Sequence, residues 1–158
     1  MSDDTYVVER SANIEAPPGS IYEQIVDFHN WRNWSPWEDV DPALRRTYSG
    51  EEAGTGAVYA WSGNRKAGQG AMEITEATEP SWVRIDLVFE KPWKARNDTS
   101  FSIAPEGSGS RVVWSMSGRK TFMTRVMGVV KSMDALIGPD FEKGLARLRA
   151  TTERQNGS

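Results

Sequence analysis

Trp82-Val83-Arg84-Ile85-Asp86-Leu87-Val88-Phe89 sets Val83, Ile85, Leu87 and Phe89 on one side of an extended chain and Arg84 and Asp86 on the other. Successive side chains of a strand point to opposite faces, so this stretch has one dry face and one wet face. The period of two continues in both directions. Upstream, Leu44–Ser49, Ala57–Ser62 and Gly70–Ala77 read as strands. Downstream follow Lys94–Ala104 and Arg111–Gly118, the latter opposing Val112, Trp114 and Met116 to Arg111, Ser115 and Ser117. The connections Gly50–Gly56, Gly63–Gly68, Glu79–Ser81, Glu90–Trp93 and Pro105–Gly109 are short or carry Gly or Pro, as antiparallel hairpins require. One face of the resulting sheet should pack and the other should be solvated.

Tyr6 to Ile14 supplies a further strand, with Tyr6, Val8, Ala12 and Ile14 on one face and Glu9, Ser11 and Asn13 on the other; Arg10 falls on the apolar face. Pro17-Pro18-Gly19-Ser20 stops it and starts a helix, since proline suits a first turn and Ser20 can cap open amides. Ile21, Tyr22, Ile25 and Val26 form the buried stripe. A second short helix spans about His29 to Trp34 and ends at Ser35-Pro36, because the residue before proline is pushed out of helical geometry. Beyond the sheet, Phe122, Val126, Val129, Val130, Met133, Ile137, Phe141, Leu145 and Leu148 recur at three- and four-residue steps to about Thr152. Gly138-Pro139 should kink this stripe or split it into two helices, and Glu153 to Ser158 should fray. The expected fold class is α+β: a seven-stranded curved antiparallel sheet wrapped around a long C-terminal helix, with two short helices between strands 1 and 2.

At 158 residues the chain suits one domain, residues 1–158 with an ordered core over about 5–153, able to bury roughly 70% of its unfolded surface. A net charge of −3 argues against nucleic acid, which demands a basic face. Arg45-Arg46 and Arg119-Lys120 read as solvated turns. The absence of cysteine removes disulfides, thiolate nucleophiles and Cys-based metal sites, and a reducing cytoplasm is the expected location. No apolar run approaches 18 residues, so stable membrane insertion is not expected. Oligomeric state, including a homodimer, stays open.

The element order resembles the helix-grip fold of START-like (SRPBCC) proteins, the superfamily of polyketide cyclases, birch-pollen-type allergens and lipid-transfer domains. The wording does too. Val8-Glu9-Arg10-Ser11 before Ala16-Pro17-Pro18, Trp31-Arg32-Asn33-Trp34-Ser35-Pro36-Trp37, Phe89-Glu90-Lys91-Pro92, Trp114-Ser115-Met116-Ser117-Gly118 and Ile137-Gly138-Pro139-Asp140-Phe141-Glu142-Lys143-Gly144-Leu145 are similar to bacterial members of the polyketide cyclase/dehydrase type. The resemblance covers residues 5 to 153. It implies a binder of a hydrophobic or amphipathic, lipid- or polyketide-like small molecule. It leaves two rivals: a cyclase or dehydratase, with Arg10 and Asp134 as acid–base candidates, and a co-chaperone-like protein-interaction module using the wet face or the Trp31–Trp37 segment.

Trp31, Trp34 and Trp37 would line the mouth of a cavity. Its sheet side would be Tyr59, Trp61, Met72, Leu87, Phe89, Phe101, Trp114 and Met116, and its helix side Met123, Met127, Met133, Ile137 and Phe141. The same residues serve equally as plain core, yet a strongly curved sheet under one helix leaves volume to fill, and methionines adapt to irregular guests. Polar residues on the apolar face discriminate better. Arg10 lies with Val8 and Ile14, Asn97 and Thr99 lie with Phe101 and Ile103, and Asp134 follows Met133. Arg10, Asn97 and Thr99 are the expected polar anchors, an inward Arg10 requiring a carboxylate or an acidic ligand.

No catalytic residue is assigned. His29 is the only histidine, and no serine sits in a G-x-S-x-G elbow, so a hydrolase triad with Asp27 or Asp39 is poorly supported. One histidine with scattered carboxylates such as Glu38, Asp39 and Asp41 makes no metal site; those three read as a solvated acidic loop. Gly54-Thr55-Gly56 and Gly68-Gln69-Gly70 run into strands rather than a helix, so they read as hairpin turns and no nucleotide cofactor is expected.

Overall fold

A computed structural model describes residues 5–38, 41–64, 67–91, 94–119 and 133–156. Strand β1 (Thr5–Ile14) leads into helix α1 (Pro18–Val26) and a 3₁₀ helix (Phe28–Asn33). Strands β2 (Arg45–Gly50), β3 (Ala57–Ser62), β4 (Gln69–Thr78), β5 (Trp82–Lys91), β6 (Ala95–Glu106) and β7 (Gly109–Arg119) follow, and then helix α2 (Met133–Asn156). The seven strands form one sheet in the order β1-β7-β6-β5-β4-β3-β2, every pairing antiparallel. The chain is a meander whose first strand closes onto its last, and each expected strand is present within a few residues of its expected bounds.

Register turns the alternation into two faces. On the wet face, Arg84 bonds both carboxylate oxygens of Asp98 and Arg96 both of Asp86, cross-strand pairs of β5 and β6. These exposed pairs contribute little each. The other face carries Val8, Ile14, Ile85, Phe101, Ile103 and Val112, all essentially inaccessible to solvent. The α1 residues Ile21 and Ile25 and the α2 residues Phe141, Leu145 and Leu148 close the core over it.

Local expectations needed three corrections. Ser20 does not cap α1: the N-cap is Pro17 without a side-chain hydrogen bond, and Ser20 lies inside the helix, because Pro18 already occupies the first turn. Gly138-Pro139 does not divide α2, which runs unbroken from Met133 to Asn156. Glu153 does not begin a frayed tail: its carboxylate accepts the Glu15 amide at 2.8 Å and Arg149 Nε at 3.1 Å, tying the last turns to the end of β1. The part of the helical stripe from Phe122 to Val130 lies outside the described residues.

Candidate functional site

Cross-strand partners align the packed face in rows. One row holds Arg10, Trp114, Phe101 and Val83; the next Val8, Met116, Thr99, Ile85 and Ile74; the third Tyr6, Gly118, Asn97, Leu87, Met72, Tyr59 and Tyr48. The first row is solid. Trp114 stacks on Phe141 of α2 at 4.0 Å with planes 4° apart and on Phe101 at 4.9 Å. Trp31 and Trp34 meet both Phe101 and Trp114 edge-on, and each satisfies its indole N–H on a carbonyl of α1, Trp31 on Ile25 at 2.8 Å and Trp34 on Gln24 at 2.9 Å. Such aromatic pairs contribute about 0.5–1.5 kcal/mol beyond area burial.

Trp31 and Trp34 are therefore not at a mouth but in the interior, with Trp34 wholly inaccessible. Trp37 is the exposed member, at 37%, leaning edge-on against Trp114 and Phe141.

Toward the third row and beyond it, packing loosens. Tyr6, Tyr48, Trp61, Met72, Phe89 and Ile137 are half-buried, while Leu87, Tyr59 and Met116 are buried. Trp61 meets Phe89 edge-on at 5.6 Å and donates its N–H to the Ala67 carbonyl. Met123 and Met127 lie outside the described residues, and of Met133 the backbone alone is described.

Three polar anchors were expected, and they meet three different fates. Arg10 is spent at the rim: Nε donates to Glu142 at 2.8 Å, and Nη1 and Nη2 donate to both Asp134 oxygens at 2.8 Å. Gly138 makes this possible, since a Cβ there would overlap the guanidinium. Hydrogen bonds to Asp134 and then Glu142 raise the Arg10 pKa, and the Arg10 hydrogen bond lowers that of Asp134. Asn97 is buried, and its Oδ1 accepts the Tyr6 hydroxyl across β7. Gly118 lies between the two strands, and a side chain there would strike both Asn97 Oδ1 and the Tyr6 ring. Thr99, 4% exposed, has an Oγ1 with no hydrogen-bond partner among the described residues; Trp114 Nε1 and Tyr48 OH are likewise buried and unpartnered.

Sequence reasoning missed a fourth polar group. Glu38 is not part of a solvated loop, nor is Arg46 a solvated turn residue. Their side chains are 10% and 21% exposed, Arg46 Nε donates to Glu38 Oε1 at 3.1 Å, and the Tyr59 hydroxyl donates to Oε2 at 3.2 Å. Burial, then the Glu38 charge, drives the Tyr59 pKa well above 10. Arg46 and Tyr48 share one face of β2, a period-two signal that could have placed Arg46 on the packed face. Asp41 is also buried, accepting the Ala43 and Asn64 amides at 2.8 and 2.7 Å, which makes it a loop staple. Asp39 lies outside the described residues.

A groove of about 230 Å³ opens at the β2–β3 end, lined by Phe28, His29, Tyr48, Glu51 and Glu52 among others, and by none of the expected site residues. His29 stacks on Tyr48 at 4.1 Å, and its Nδ1 lies 2.7 Å from Asp27 Oδ1. No serine hydroxyl bonds to His29 among the described residues. Nor, among the described residues, do three or more His, Cys, Asp or Glu stand together as a metal site, and no helix there is long and apolar enough to cross a membrane.

A curved seven-stranded antiparallel sheet, two short helices after its first strand and a closing helix define a helix-grip α+β protein of the birch-pollen-allergen type. The model of the family described as "Polyketide cyclase / dehydrase and lipid transport" matches residues 5–153. The chain belongs to that START-like (SRPBCC) family. No curated protein matches. Among solved structures, it is similar to Ara h 8.0201, with 13% identity, TM-score 0.62, and 94% of this chain and 97% of the other covered. It is also similar to the Aha1 dimer from Colwellia psychrerythraea, at 16% identity and TM-score 0.62 over 94% and 96% of the two chains. DynU16, a putative protein in the dynemicin biosynthetic locus, aligns at 13% identity and TM-score 0.62 over 96% of this chain and 48% of its own. At these identities the likenesses concern the fold.

Proposed function

We propose that the protein binds a hydrophobic or amphipathic small molecule between the loosely packed part of its sheet and the C-terminal helix. Trp61, Met72, Leu87, Phe89, Met116 and Ile137 are the apolar contacts, and Asn97 and Thr99 the polar ones. The observation that carries this reading is Thr99: a buried hydroxyl with no partner among the described residues, on the same face as the half-buried Met72, Phe89 and Trp61. A buried hydroxyl left unpaired costs free energy that a ligand oxygen would recover. The family description, which joins cyclase and lipid-transport members, agrees with a site for apolar guests.

The chain is read as a binder rather than a cyclase because the acid–base candidates are committed to each other. Arg10 and Asp134 stabilise one another's charged forms, so neither exchanges a proton readily near neutrality. The test is a titration of the purified protein with N-phenyl-1-naphthylamine, a neutral dye that brightens in apolar surroundings. Saturable brightening, abolished by Trp61→Ala with Met72→Ala, is expected; a dye that stays dark at every protein concentration sinks the proposal.

A further inference from the structure

Among the described residues, the face assigned to the ligand contains two cations, and neither is available. Arg10 has its Nε and both terminal nitrogens bonded to Glu142, Asp134 and the Glu9 carbonyl. Arg46 has Nε and Nη2 on Glu38, whose second carboxylate oxygen is taken by Tyr59. What remains on the concave rows is neutral. The Tyr6 hydroxyl is held protonated by burial. Tyr6 fills Asn97 Oδ1, which leaves the Nδ2 donors of Asn97 without an acceptor among the described residues. Thr99 stands two residues on, on the same side of β6, able to donate or accept. Ile85, Leu87 and Met116 surround the pair. A carboxylate brought here would lose its water and gain no opposite charge from the described residues, which is the costly case. A carbonyl, ester or hydroxyl oxygen would gain two hydrogen bonds at small desolvation cost.

We propose that the ligand is a neutral, oxygen-bearing apolar molecule whose carbonyl or hydroxyl is received by Asn97 Nδ2 and Thr99 Oγ1, and that carboxylates such as free fatty acids are rejected. This rests on the ligand-binding reading above. Asn97 and Thr99 are then the specificity-determining residues, and Gly118 is a positioning residue that lets Tyr6 orient the Asn97 amide.

The experiment displaces N-phenyl-1-naphthylamine with naphthalene, 2-naphthol, methyl 2-naphthoate and 2-naphthoate at neutral pH. The naphthol and the ester are expected to displace the dye roughly tenfold or more better than the carboxylate, because a site with neutral donors discriminates by what it leaves unpaired. Thr99→Val, close to isosteric, and Asn97→Leu are expected to bring 2-naphthol down to the level of naphthalene while naphthalene itself is unaffected. Thr99→Val keeps the test open if Asn97→Leu fails to fold. Carboxylate displacement equal to that of the ester, or an unchanged ratio of naphthol to naphthalene in Thr99→Val, overturns the neutral-ligand assignment while leaving the binding site standing. A dye that does not bind overturns both.

Discussion

The two ends of the same sheet face are built from similar residues to opposite effect. At one end, Trp34, Phe101, Trp114 and Phe141 interlock with ring centroids 4.0 to 5.9 Å apart, and none is more than 1% exposed. At the other, Trp61, Met72 and Phe89 stay half-buried around the polar pair Asn97 and Thr99. Among the described residues, the two ends differ in what comes from outside the sheet. The 3₁₀ helix and the middle of α2 deliver three large rings, Trp31, Trp34 and Phe141, onto the first row, whereas Ile137 is the one described α2 side chain packed against the core's partly buried margin. An aromatic count along the strands cannot register this, because the rings that decide it arrive from elsewhere in the chain.

The sharpest way to break the comparison is a pair of truncations. Trp34→Ala is expected to cost about 3–5 kcal/mol in urea unfolding, as fully buried indoles do, and Trp61→Ala less than about 2 kcal/mol, in keeping with its partial exposure. Equal losses would mean that the two ends are packed alike. Alkaline titration comes next. Tyr6, Tyr48 and Tyr59 all have pKa values raised by burial, with Glu38 adding to the rise at Tyr48 and Tyr59. A raised folded-state value favours the protonated form. Their contribution is therefore present in full below pH 10, the ordinary value, and is lost as pH climbs from there toward the folded values. Stability measured from pH 9 upward should fall, and Tyr59→Phe should flatten the fall; a slope unchanged in Tyr59→Phe would remove Tyr59 as its source.

Smaller effects sharpen the picture. Gly118→Ala is expected to cost about 1–3 kcal/mol by overpacking the crossing of Tyr6 over β7. In a double-mutant cycle the coupling between Tyr6→Phe and Asn97→Ala should vanish on that background, and a coupling that survives would show the glycine is not needed for their contact. Thr99→Val should leave the apo protein unchanged or about 1 kcal/mol more stable, because a hydroxyl without a partner is exchanged for a methyl. A clear loss of stability on Thr99→Val would reveal a hydrogen bond and withdraw Thr99 as a ligand anchor.

Much of the fold was legible because hydrophobic period is a local signal. The period-two alternation within each segment and the connections that are short or carry Gly or Pro placed every strand to within a few residues. The site was legible only in part. Asn97 and Thr99 were found as polar residues on a dry face, and both are buried there. Arg10 was found the same way, but a long side chain on an edge strand reaches the rim, and its partners Asp134 and Glu142 lie more than 120 residues away. Glu38 was lost to its acidic neighbours, since nothing in Glu38-Asp39-Val40-Asp41 states that the first carboxylate turns inward to Arg46. Ser20 and Glu153 went astray through end effects, a cap preempted by proline and a tail held by the Glu15 amide.

By itself the amino-acid sequence determined the order of elements and the faces of β1, β5, β6 and β7, because these follow from spacing within a dozen residues, while the family rested on a resemblance in motifs and element order. Tertiary structure alone decided which end of the face became solid and which charges cancelled. It also decided that a buried amide and an unpartnered hydroxyl, rather than an arginine, are left on the packed face among the described residues. Those outcomes depend on contacts between distant segments, whose distances no local pattern encodes.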